Sequence, residues 1–219
     1  MNRTVSRIAA AVFITILYGL SAVTTVASAA PAEEAGPARI LVLGTSLTAG
    51  FQLPRDKSFT ARLEAALREK GYDATVVNAG VSGDTSAGGL ARLNWLLSED
   101  YTHAIVELGG NDVLRGLEPE DTRANLDAIL TTLTEHGIEV LLAGMRAPPN
   151  LGPDYEEEFN GLYAELAEKH GVLLYPFFLD GVAADPGLNL EDGIHPNAKG
   201  VAVIVERILP YVEKLLGDG

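Results

Sequence analysis

Cysteine is missing altogether from the 219 residues. Disulfides, thiol nucleophiles and lipid-modified cysteines are therefore excluded, and an exported chain of this composition must rely on its core for stability. Basic side chains are scarce: 16 lysines and arginines stand against 30 aspartates and glutamates, a formal net charge of −14. Such a surface repels polyanions, so no nucleic-acid partner is expected. Only four histidines occur, scattered without H-E-x-x-H or similar spacing, so neither a metal nor any other cofactor is expected. No strand-like run is followed by G-x-G-x-x-G, and "GTSLTAG" (44–50) lacks the lysine of a phosphate-binding P-loop. The G-x-S-x-G elbow of the standard α/β-hydrolases is absent too.

The one long uncharged run lies at the start. Arg3 and Arg7 precede an uncharged stretch from Ile8 to Ala32, and Ala27 and Ala29 have the small-residue spacing of a signal-peptidase site. Residues 1–29 read as a secretory signal and 30–38, rich in alanine, proline and glutamate, as a flexible leader. An uncleaved membrane anchor is the alternative, since about 20 apolar residues span a bilayer; Thr15, Ser21, Thr24, Thr25 and Ser28 count against it. Cleavage after Ala29 leaves 190 residues carrying 14 basic and 30 acidic side chains, a net of −16. That length suits a single domain, 39–219, with a sizeable core. The reading implies a periplasmic or secreted protein, with no obligate protein partner and a monomeric state expected.

Short apolar runs alternate with longer helical patterns through the remainder, which predicts a parallel α/β sheet. The strand candidates are "RILVL" (39–43), "ATVVN" (74–78), "HAIVEL" (103–108), "IEVLLAG" (138–144) and "VLLYP" (172–176). Their apolar character suits strands covered on both faces. Helices are expected from Ser58 to the stop at Gly71, from Thr85 to about Leu97, from Pro119 to His136-Gly137, from Pro153 to His170-Gly171, and from about Asn197 to Leu216. Five strands, each followed by a helix, give a three-layer α/β/α sandwich, with the ligand crevice beyond the carboxyl ends of the strands.

Five segments reach that edge: "GTSLTAG", "NAGVSGDTS", "GGNDVLRG", "GMRAPPNLG" and, after a longer connection, "LEDGIHPN". His136 and His170 precede helix-ending glycines, and His103 begins a strand, so all three read as structural. His195 alone lies in a loop at the edge. Asp192, three residues earlier, can hold one imidazole nitrogen and leave the other as a base; the plainer alternative is an Asx-type turn beside a surface histidine. Ser46, flanked by Thr45 and Thr48, would become a nucleophile if that base took its proton. Acyl transfer also needs donors for an oxyanion, and the amides of Ser46 and Gly83 with the side-chain amide of Asn111 could supply them. Leu47, Phe51, Leu53 and the loop bearing Met145, Arg146 and Pro148 suggest an acyl or aryl pocket, or simply pack the loops.

These blocks resemble those of the SGNH or GDSL-type hydrolases. "GTSLTAG" is similar to the first, usually Gly-Asp-Ser-Leu; "NAGVSGDTS" to the second, "ELGGND" to the third and "DGIHPN" to the last. "VVNAGVSGDTSAGGLARL" and "VELGGNDVLRG" resemble the bacterial periplasmic branch of thioesterases, lysophospholipases and arylesterases. The resemblance runs from Arg39 onward. It implies a flavodoxin-like fold, Ser46 as nucleophile, Ser46, Gly83 and Asn111 as oxyanion donors, and Asp192 and His195 completing the triad. Substrates would be aryl esters, short to medium acyl esters, lysophospholipids or thioesters; a carbohydrate O-deacetylase and a noncatalytic ligand-binding module are the alternatives. One position departs from the pattern, with Thr45 where the family carries aspartate.

Overall fold

The structure is a computed structural model, and it describes residues 37–217. The expected signal segment and nearly all of the leader lie outside the described residues. Five strands form one parallel sheet in the order β2-β1-β3-β4-β5: β1 (Ala38–Gly44), β2 (Ala74–Gly80), β3 (His103–Glu107), β4 (Glu139–Ala143) and β5 (Leu173–Tyr175). Ile40, Leu41, Val42 and Leu43 of the central β1 are wholly buried, as is the Ile105-Val106 pair of β3. Both faces are covered, which explains why these strands show no polar alternation.

The expected helices are present with their expected ends: α2 (Phe59–Glu69), α3 (Ser86–Leu96), α5 (Pro119–Glu135), α6 (Pro153–His170) and α7 (Ala198–Leu215). Ser58, Thr85 and Asn197 cap α2, α3 and α7 with side-chain oxygens, each accepting a backbone N–H that the first turn leaves unpaired. Helix α2 packs against α7, while α5 packs against both α3 and α6, so the two helical layers sandwich the sheet.

Two short α-helices go beyond the sequence reading. A one-turn helix α1 (Ser46–Ala49) occupies the first loop, and a short α4 (Gly110–Leu114) the third. Neither is long enough to display a helical period. β2 also continues past Asn78 to Gly80, because Asn78, Ala79 and Gly80 pair with Val42, Leu43 and Gly44 of β1.

The strand order reverses direction at β1. Its chain leaves for β2 on one side, while β3 and β4 extend on the other. Loops after β1 and β3 therefore diverge at a topological switch point, where a crevice opens. The register aligns the ends of these strands, with Gly44 opposite both Gly80 and Glu107.

Candidate active site

The first loop turns sharply out of β1. Thr45 is extended and its hydroxyl accepts from Leu47 N–H at 3.3 Å, starting α1; Gly50, in the left-handed region, ends it with its N–H on the Ser46 carbonyl. Two glycines make room for this turn. A Cβ on Gly44 would come within 2.1 Å of Thr48 Oγ1 and 2.5 Å of Glu107 Oε2, and one on Gly80 within 2.3 Å of the Ala49 backbone nitrogen. Ser46 is thus pressed into the sheet edge with its side chain turned to the last loop.

That last loop delivers the histidine. Ser46 Oγ lies 2.9 Å from His195 Nε2, and His195 Nδ1 lies 2.8 Å from Asp192 Oδ2. Asp192 Oδ1 accepts the Ile194 and His195 amides at 2.9 and 3.0 Å, so the Asx-type turn and the imidazole contact coexist on one carboxylate. These amides, that of His195 first, hold the Asp192 carboxyl down at about 2. The carboxylate is therefore ionised at neutral pH, and it fixes Nδ1 as the protonated nitrogen and Nε2 as the acceptor. Asn197 supports the loop from behind, donating to the Gly187 and Asn189 carbonyls while capping α7. The ring of Phe51 packs on the imidazole, centroids 4.3 Å apart.

The second and third loops are tied to one another and to the first. Asn111 Nδ2 donates to the Asp84 carbonyl at 2.7 Å, which leaves its second N–H for another acceptor. Gly83 has φ +83° and its carbonyl accepts from Arg115. Arg92 pairs with Asp84 at 2.7 Å and also donates to the Gly44 carbonyl at 3.1 Å. Asp112, buried, accepts from the Ser86 amide and hydroxyl and so fixes α3 against α4. Neither the Ser46 nor the Gly83 amide has a protein acceptor among the described residues.

A cleft of about 340 Å³ opens over Ser46 and His195, within the range of small-molecule sites. The expected Leu47, Met145, Arg146 and Pro148 line it with Asn111, whereas Gly83 lies beyond its lining. Val113, Leu114, Phe177, Leu179 and Ile194 add to its apolar wall, and Arg146, stacked over Phe177, is its one cation. Sequence alone gave no sign of Phe177 or Leu179, because the connection after β5 carries no periodic pattern. Phe51 and Leu53 line instead a separate narrow crevice behind Ser46 and His195. A larger depression of about 440 Å³ lies at the opposite edge, around the starts of β4 and β5, and touches none of these groups. His136 and His170 are occupied elsewhere, by the Thr132 carbonyl and by Asp127.

A buried acid beneath the site was not expected either. Glu107, the last residue of β3, is 0% exposed and lies beneath the first loop. Its Oε2 accepts from the Thr45 amide at 2.9 Å and the Thr48 hydroxyl at 2.8 Å, while its Oε1 accepts the Thr45 hydroxyl at 3.0 Å. Burial pushes its carboxyl up to about 7, against the opposing pull of those hydrogen bonds. No group of three or more potential metal ligands occurs among the described residues.

The profile of the GDSL-like lipase/acylhydrolase family matches residues 42–203. The chain is 42% identical over 185 residues to the esterase TesA of Pseudomonas aeruginosa, covering 84% of this chain and 92% of that protein. It is 39% identical over 178 residues to an Escherichia coli protein named thioesterase 1/protease 1/lysophospholipase L1, covering 81% and 84%. Among solved structures, AlinE4, described as an SGNH-hydrolase family esterase, superposes with a TM-score of 0.69 at 49% identity, covering 82% of this chain and 96% of the other.

Proposed function

The chain belongs to the GDSL-like lipase/acylhydrolase family, and from that premise we propose that it is an exported serine esterase whose nucleophile is Ser46. The observation that carries this reading is the unbroken chain Ser46 Oγ, His195 Nε2, His195 Nδ1, Asp192 Oδ2, with contacts of 2.9 and 2.8 Å. Its members come from two loops 149 residues apart in sequence.

In the proposed reaction His195 Nε2 takes the Ser46 proton as Oγ attacks the ester carbonyl carbon. The carbonyl oxygen gains the negative charge and rests on the amides of Ser46 and Gly83 and on the second N–H of Asn111. Collapse of this intermediate expels the alcohol, which leaves with the proton from Nε2. Water then attacks the acyl-enzyme through the same base, and the acid departs. Asp192 stays ionised and stabilises the imidazolium formed in each half.

The substrate class follows the wall of the cleft. Leu47, Val113, Leu114, Phe177, Leu179 and Ile194 favour an acyl or aryl group, and the names of the relatives, esterase and lysophospholipase, agree. An acetylated sugar would find few polar partners there. Thioesters enter through the same acyl chemistry, although acyl-CoA would not be met outside the cytoplasm.

Steady-state hydrolysis of p-nitrophenyl esters by Ser46→Ala and His195→Ala tests this. Each substitution is expected to lower kcat by about 10³-fold or more. Turnover near the wild-type level in either variant overturns the mechanism.

A further inference from the structure

Glu107 takes no part in the proposed proton transfers, yet it is fully buried directly under the loop that carries Ser46. A carboxyl group is costly to bury, and a satisfied one persists where it holds something in register. Three donors converge on it, and all belong to two residues that flank Ser46: the amide and hydroxyl of Thr45 and the hydroxyl of Thr48. Positions 45 and 48 share one face of the α1 turn. Ser46, between them, turns instead to His195. The Thr45 hydroxyl also accepts from the Leu47 amide, so orienting its proton onto Glu107 frees the lone pair that starts the turn. The absence of a side chain at Gly44 admits this close approach, since a Cβ there would overlap both Glu107 and Thr48.

We propose that Glu107 is a positioning residue for the nucleophile: its buried carboxyl clamps Thr45 and Thr48 and thereby sets the Ser46 hydroxyl and amide relative to His195 and the bound carbonyl. This rests on the reading of Ser46 as nucleophile. It also gives Thr45 a purpose. Its hydroxyl reaches both Glu107 oxygens, at 3.0 and 3.2 Å, and donates a proton where an aspartate would set a second carboxyl against the first. The family's altered residue and the buried acid are two halves of one support.

The test compares Glu107→Gln and Thr48→Val with wild type, counting competent sites by fluorophosphonate titration so that kcat refers to folded molecules. Glu107→Gln removes one acceptor, and Thr48→Val removes one donor while keeping the volume. A displaced nucleophile lowers kcat with little change in substrate affinity, so kcat per competent site is expected to fall about tenfold in Glu107→Gln, with KM held within about twofold. Thr48→Val should fall in the same direction by less, and the double variant should be no worse than Glu107→Gln alone, because both act through one contact. Leu133→Ala, at the far end of α5, serves as the destabilised control and should lower Tm without changing kcat per site. Should Glu107→Gln fail to fold, Thr48→Val carries the comparison. Wild-type kcat per site in the folded variants, with Ser46→Ala inactive, overturns the positioning role alone. Hydrolysis surviving Ser46→Ala would instead remove the esterase reading itself.

Discussion

In the proposed reaction Ser46 is an ordinary alcohol made reactive by its neighbours, and each neighbour has a separable task. Asn111 illustrates this. One of its amide protons is spent on the Asp84 carbonyl at 2.7 Å, which aims the other. Asn111→Ala should therefore remove one oxyanion donor and lower kcat by about 10²-fold or more with a smaller change in KM; steady-state kinetics on an aryl ester measures both. Equal losses in kcat and affinity would show that the amide binds substrate rather than the charge that develops on it. The meeting of Ser46, Asp192 and His195 was legible in sequence because hydroxyl, carboxylate and imidazole sit in loops where glycines break an apolar pattern. Glu107 was not. It reads as the polar end of a strand, and only the packed structure reveals that a turn of helix closes over it. Phe51 was expected at the substrate pocket, but its ring is spent on the face of His195.

At the scale of elements, the site depends on strands that end at one level. Gly44 and Gly80 face each other across β1 and β2, and α1 sits on the pair. Gly80→Ala would drive a Cβ to 2.3 Å from the Ala49 nitrogen and 2.7 Å from the Thr45 carbonyl oxygen, both backbone atoms that cannot swing aside. A loss of about 1–3 kcal/mol by denaturant unfolding is expected, typical of overpacking, together with a fall in kcat, since the displaced backbone bears Ser46. Unchanged stability would mean that α1 is looser than its packing indicates. The five strands and five long helices were readable from apolar runs, caps and stop glycines. The one-turn helices α1 and α4 were not, because their form comes from tertiary contacts: Glu107 under α1, and Asp112 joining α4 to α3.

For the whole molecule, Glu107 and Asp192 act in opposite directions on stability. Glu107 is raised from 4.5 to about 7, so between those values the folded state holds a proton that the unfolded chain has lost. Its contribution is complete below about 4.5 and is lost as pH rises through 7, a change on the order of 3 kcal/mol. Tyr163, which feels the Glu107 charge, is pushed well above its usual range, chiefly by burial, and stays neutral throughout. Urea unfolding at pH 5 and pH 8 should therefore show wild type losing stability relative to Glu107→Gln; parallel curves would contradict the buried acid's titration. Asp192 is lowered from 3.8 to about 2, so its contribution is present above 3.8 and is lost as pH falls towards 2. The strong negative charge, −14 over the full chain, bears on encounter rather than on fold. Hydrolysis of an anionic ester should therefore speed up with added salt more than that of a neutral one.

In the proposed reaction Ser46 is the residue to which the acyl group is transferred. Treating the protein with a fluorophosphonate, then locating the adduct by peptide mass spectrometry while following loss of esterase activity, tests it directly. One adduct is expected, on Ser46, formed in step with inactivation and abolished by His195→Ala. An active esterase that takes up no label, or takes it up at another residue as activity is lost, would contradict it.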